Sequence, residues 1–174
     1  MTYDEIKGLD VGSYYDPVYY QERIPTFEEV LNLTKGKTRL NIELKPSAHD
    51  KNLVENVISL IKKYDIEDSC MICCMKYDTL KQVKALAPDI YTTYVMIIAY
   101  SNFWDLDAID AFSISHDRIS KKIIANVKNR GKDIYAWTVN KEDGMNRVLD
   151  MGVDGVITDN PALLMDVILS ILTP

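Results

Sequence analysis

From residue 39 onward the chain alternates short apolar, β-branched runs with longer segments of helical periodicity, and this rhythm constrains its fold more than anything else in it. The strand candidates are Arg39–Lys45, Cys70–Met75, Tyr91–Ile97, Ala111–Ser115, Asp133–Val139 and Gly155–Thr158. Successive starts lie about 20–30 residues apart, which is room for one strand and one crossover helix. A hairpin connects antiparallel strands in a few residues, so this spacing selects parallel neighbours. Six strands, each followed by a helix, predict an α/β fold with a parallel sheet covered by helices.

The helical segments carry their own punctuation. Thr26-Phe27-Glu28-Glu29 reads as a capping box ahead of Val30 and Leu31. Leu53, Val57, Leu60 and Ile61 fall on one stripe. Leu80, Val83 and Leu86-Ala87 form another, stopped by Pro88. Ile123, Ile124 and Val127 form a third, closed by Gly131. Asn140 is expected to cap the next helix and Gly152 to end it. Asn160-Pro161 opens the last helix, since proline suits the first helical position. Residues 1–25 read as loop and turn, and Ser101–Asp110 as a short irregular helix.

Nothing in the 174 residues reads as a linker or low-complexity tract, so one domain over 1–174 is expected. The net charge of −6 disfavours a nucleic-acid partner, which needs a basic face. It leaves open a small phosphate ligand held by a local lysine. No apolar run approaches the roughly 18–20 residues of a membrane span, and Met1–Asp16 is too polar and acidic for a signal peptide. Cys70, Cys73 and Cys74 are odd in number and clustered, so they do not read as a disulfide framework. Cys70 and Cys73 form a CxxC, but no second pair or histidine cluster accompanies it, and apolar neighbours favour core packing over metal or redox work. Unpaired cysteines fit a cytoplasmic location.

The most informative segment is Arg39-Leu40-Asn41-Ile42-Glu43-Leu44-Lys45-Pro46. Strand side chains alternate, so Leu40, Ile42 and Leu44 share one face while Asn41, Glu43 and Lys45 share the other. A polar face in a helix-covered sheet is costly unless it lines a site. A carboxylate and an ammonium two residues apart suit a hard cation beside an anionic substrate; a solvated ion pair on an edge strand would give the same pattern. Trp137, near the end of the fifth run, either walls an organic group or fills the core. Asp159, after the last run, caps a helix at minimum. The two histidines are His49, in a loop, and His116, just past the fourth run. A lone rim histidine is usually a surface residue. No P-loop, GxGxxG or Ser-His-Asp pattern is present.

Four segments in order, Ile24–Leu31, Asn41–Lys45, Ala136–Asn140 and Gly152–Pro161, resemble the glycerophosphodiester phosphodiesterases, with the likeness running from Leu9–Ser13 to the end. The later segments are most similar to bacterial members whose catalytic domain follows a membrane domain. The resemblance implies a (β/α)8 barrel of the TIM type and metal-dependent hydrolysis of glycerophosphodiesters to glycerol phosphate and an alcohol, a step in lipid head-group metabolism. By position, Glu43 matches a metal carboxylate, Lys45 the lysine on the substrate phosphate, Trp137 an aromatic wall, and Asp159 a residue beside the site. The implied cofactor is a divalent cation, Mg²⁺ or Ca²⁺.

The family's His-Arg-Gly motif, its Glu-x-Asp pair and its later His-Asp motif have no counterpart in residues 1–174, and neither His49 nor His116 sits in a family motif. The Ser-Phe usual after the fourth barrel strand is Cys74-Met75 here. The expectation is an incomplete barrel of about six βα units, with no catalytic residue assigned and one metal carboxylate of three. Such a chain is expected to be inactive alone and to self-associate through open barrel edges; the alternative is a non-catalytic assembly or phosphate-binding module.

Overall fold

A computed structural model describes residues 1–98, 100 and 102–173 of the chain. Six strands form one parallel sheet in sequence order: β1 (Leu40–Leu44), β2 (Cys70–Cys74), β3 (Tyr91–Met96), β4 (Ala111–Ser115), β5 (Asp133–Trp137) and β6 (Gly155–Val156). Each lies within an expected run. The sheet curls into a half-barrel, with β1 and β6 as its two edges. Uninterrupted sequence order is what right-handed βα crossovers produce when every connection steps the same way. The incomplete TIM-type barrel is therefore the observed architecture.

The helices are α1 (Tyr3–Ile6), α2 (Phe27–Thr34), α3 (Leu53–Tyr64), α4 (Tyr77–Leu86), α5 (Lys121–Lys128), α6 (Glu142–Met151) and α7 (Pro161–Leu172). The capping box at Thr26 forms as expected: Thr26 Oγ1 accepts from Glu29 N (3.2 Å) and Thr26 N donates to Glu29 Oε2 (2.7 Å). Gly152 ends α6 at φ +88°, a conformation glycine adopts without strain. Three expectations need correction. Residues 1–25 are not all loop, because Thr2 and Glu5 close a second capping box that starts α1. Asn140 does not cap α6; its side chain is drawn instead to Thr158 and Asp159. Asn160, not Asp159, caps α7, accepting from Leu163 N at 3.2 Å. In the Ser101–Asp110 segment a 3₁₀ turn forms over Phe103–Asp105; Ser101 lies outside the described residues.

Register decides which residues meet. The pairs Asn41↔Met71, Met71↔Tyr91, Thr93↔Ala111, Ala111↔Asp133 and Tyr135↔Gly155 keep odd-numbered residues on one face throughout. The even-numbered face carries Leu44, Ile72, Phe112, Ile114 and Ile134, all buried against the helices. The α3 stripe that reaches this core centres on Val54, Ile58 and Ile61, one residue round the helix from the sequence expectation, with Val57 and Leu60 flanking it. All three cysteines are buried and free, as core packing requires. Burial pushes the Cys70 thiol up to about 11 and the Cys73 thiol up to about 12, the latter helped by the negative Glu43. They are protonated at neutral pH, hence poor nucleophiles and poor metal ligands.

The N-terminal ends of the strands are stapled by one device used twice. Asp110, just before β4, accepts from Thr92 N at the start of β3 (2.7 Å) and pairs with Lys84 (2.7 Å). Asp154, just before β6, accepts from Ile134 N at the start of β5 (2.9 Å) and pairs with Lys128 (2.8 Å). Each aspartate satisfies a backbone donor that its neighbouring strand leaves open. These residues hold the end of the barrel associated with stability and leave the C-terminal rim free for chemistry.

Candidate active site

A cleft of about 400 Å³ opens at the C-terminal half of the concave, odd-numbered face. Strand alternation on β1 sends Asn41, Glu43 and Lys45 to one wall, and β5 sends Trp137, followed by Thr138, to another. Cys73 and Ser113, both nearly inaccessible, lie between. Glu43 and Lys45 pair at 3.2 Å, with side chains 38% and 78% exposed. A pair that open adds at most about 1 kcal/mol to stability. Its place on the site wall, rather than any contribution to folding, gives it meaning. The Trp137 indole is fixed from behind: Nε1 donates to the Ser113 carbonyl at 2.9 Å. This bond fixes the ring on the cleft wall. The Ser113 hydroxyl is the one buried side-chain polar atom without a partner among the described residues.

The other singled-out residues lie outside this cleft. Asp159 is not among its lining residues; it accepts from Asn140 Nδ2 at 2.7 Å, while its own N–H donates to Asn140 Oδ1 at 2.9 Å. It braces the loops after β5 and β6 against each other. His49 sits exposed in the loop after β1. His116 stands on the rim after β4, half-buried, where Arg147 holds it. The sequence reading missed Arg147, which lies a full βα unit further on, and Ser113, whose place on the Trp137 face follows from strand parity once the β4–β5 register is known.

Among the described residues the donor set falls short of a metal centre. The cleft holds one carboxylate, already ion-paired, and among the described residues no group of three His, Cys, Asp or Glu side chains converges. A hard cation that takes six or more oxygens finds too few here. A larger groove of about 540 Å³, near Lys62, Glu67 and Asp68, lies at the N-terminal end of the strands, the wrong end for chemistry in a parallel barrel. No helix among the described residues is long and apolar enough to cross a membrane.

A parallel half-barrel with an acid, an amine and a tryptophan at its C-terminal rim places the chain in the TIM-barrel class. The model of the glycerophosphoryl diester phosphodiesterase family matches residues 1–163. A glycerophosphodiester phosphodiesterase of Caldanaerobacter subterraneus is 31% identical over 172 residues, covering 96% of this chain and 71% of that protein. The structure of an Oleispira antarctica phosphodiesterase in complex with its product sn-glycerol-3-phosphate is 25% identical, with a TM-score of 0.90 over 97% of this chain and 70% of that one. A Parabacteroides distasonis glycerophosphodiester phosphodiesterase shares the fold, with a TM-score of 0.86 at 22% identity over 99% of this chain and 72% of that one. The chain belongs to the glycerophosphoryl diester phosphodiesterase family.

Proposed function

We propose that residues 1–174 form the glycerophosphate-holding part of a glycerophosphodiester phosphodiesterase site, and that these residues alone bind such ligands without turning them over. The carrying observation is the joint placement of Lys45 and Trp137 in one cleft at the C-terminal rim. The Lys45 ammonium is exposed enough to meet a phosphate oxygen, and a charge-assisted hydrogen bond to phosphate is among the stronger polar contacts. The fixed face of Trp137 suits the C–H side of a glycerol chain. Product binding in the Oleispira antarctica relative supports the same ligand class here.

Hydrolysis needs an acid and a base within hydrogen-bond reach of the phosphodiester. The chain's two histidines, His49 and His116, both lie outside the Glu43–Lys45 cleft. Glu43 is the single carboxylate there, and the Mg²⁺ or Ca²⁺ implied by the resemblance has no completed donor set among the described residues. Asp159, which the resemblance places beside the site, contributes in this reading by bracing the rim through Asn140. The purified chain, incubated with glycerophosphocholine and Mg²⁺ or Ca²⁺, is expected to release no glycerol phosphate. Turnover that disappears in Glu43→Ala would show a complete site and overturn the proposal.

The second element of the proposal is self-association. Among the described residues, β1 and β6 each leave one edge of hydrogen-bonding groups without a strand partner. Beside β6, α7 exposes Met165, Leu169 and Leu172, which repeat at helical spacing on one face. Light scattering behind size-exclusion chromatography is expected to give a dimer or larger species. A monomer of about 19.9 kDa at micromolar concentration would contradict it.

A further inference from the structure

A second cleft, of about 360 Å³, opens on the other side of Thr138 and is lined by His116, Asn140, Lys141 and Asp143. Thr138 belongs to the walls of both clefts. A phosphodiester carries two organic arms that leave phosphorus in different directions. If one arm lies on Trp137 with its phosphate at Lys45, the other is led across Thr138 into this second space. The following inference rests on the glycerophosphate reading above and deepens it.

His116 is held there in a defined state. Arg147 Nη2 donates to the His116 carbonyl at 2.8 Å and stands 3.1 Å from His116 Nδ1. A guanidinium can only donate, so Nδ1 is the acceptor and the ring hydrogen resides on Nε2. The imidazole therefore offers a fixed N–H donor, and Arg147 on α6 prevents the ring from turning it away. The neighbouring Asp117 is already engaged, accepting from Ser115 Oγ at 2.5 Å and lying 3.6 Å from Arg118. The Asn140 amide is likewise committed to Thr158 and Asp159. The polar groups left for a ligand are the His116 donor, the Asp143 acceptor and the Lys141 ammonium, with the Arg147 charge behind them.

We propose that this second cleft is the subsite for the alcohol arm of the diester, and that it selects a neutral polyhydroxy alcohol over a quaternary ammonium alcohol. A polyol hydroxyl accepts from His116 and donates to Asp143 through the same kind of group. A trimethylammonium group offers nothing for the His116 N–H to donate to, and it meets two cations, the exposed Lys141 and the anchored Arg147, against the Asp143 carboxylate. His116 is a specificity residue in this scheme and Arg147 its positioning residue.

Binding measurements on the full chain, by titration followed in NMR spectra, separate the possibilities. Glycerophosphoglycerol is expected to bind about three- to tenfold more tightly than glycerophosphocholine, the worth of one retained hydrogen bond. His116→Ala is expected to bring the two to parity while leaving sn-glycerol 3-phosphate affinity unchanged, and His116→Gln, whose amide can still donate, to restore part of the preference. The amide spectrum of each variant reports directly that it is folded. Equal affinity in the native chain, or a preference for the choline diester, overturns the subsite assignment alone. Failure of sn-glycerol 3-phosphate itself to bind overturns both the subsite and the glycerophosphate reading beneath it.

Discussion

Lys45→Ala is expected to weaken sn-glycerol 3-phosphate binding by about ten- to hundredfold, the value of a charge-assisted contact to phosphate. The fold is expected to stay intact, because the side chain is 78% exposed and its one ion pair, with Glu43, is solvated. Glu43→Gln should move affinity the other way in the absence of metal. The Glu43 carboxylate lies 3.2 Å from the Lys45 ammonium and competes with the ligand for it. Removing that charge frees the lysine and lifts a like-charge repulsion, tightening binding about two- to fivefold at the roughly 1 kcal/mol scale of solvated charge pairs. Isothermal titration of the two variants against the native chain tests both signs. Equal affinities in all three would place the phosphate elsewhere.

Phe112→Ala is expected to cost about 3–5 kcal/mol, a large share of the roughly 5–15 kcal/mol that holds a domain together. Phe112 is fully buried on the helix-facing side of β4, with its ring 4.9 Å from that of Phe103 at an interplanar angle of 80°. The β3–β4 connection, which carries Phe103 and Trp104, packs through this contact, with Phe103 and Trp104 edge to face at 5.1 Å. Truncation leaves a cavity that neighbouring strands cannot collapse to fill, so the loss exceeds simple transfer of the ring. Leu33→Ala, at a 67% exposed position on α2, is the control and should change stability by less than about 0.5 kcal/mol. Urea denaturation followed by circular dichroism measures the difference.

The strands were legible because their residues obey one period. Alternation on Leu40–Leu44 sorts Glu43 and Lys45 from Leu40, Ile42 and Leu44 with no knowledge of neighbours, and the structure puts the first pair on the cleft wall and Leu44 in the core. α1 went unread, although Thr2 and Glu5 carry the same capping pattern as Thr26 and Glu29, because its four residues are too few to show an apolar stripe. Asn140 was misassigned because a side-chain amide after a strand has two partners open to it. The choice between capping α6 and bonding Asp159 is settled by a loop 19 positions away. The same non-locality hid the paired roles of Asp110 and Asp154, which depend on which strand start lies beside each. It hid the His116–Arg147 contact as well, which joins residues 31 positions apart. Within the candidate site, the wall on β1 was readable from one strand. Its relation to Trp137, Ser113 and Thr138 required the register of four strand pairs, which local pattern does not encode.

The concave rim bearing Glu43, Lys45 and Trp137 is proposed as a glycerophosphate site. Titration of the ¹⁵N-labelled chain with sn-glycerol 3-phosphate tests it most directly. Saturable shifts are predicted to be largest at the Glu43 and Lys45 amides and the Trp137 indole N–H. Shifts centred instead on Lys62, Glu67 and Asp68 at the opposite end of the strands, or no saturable shift at all, would contradict it.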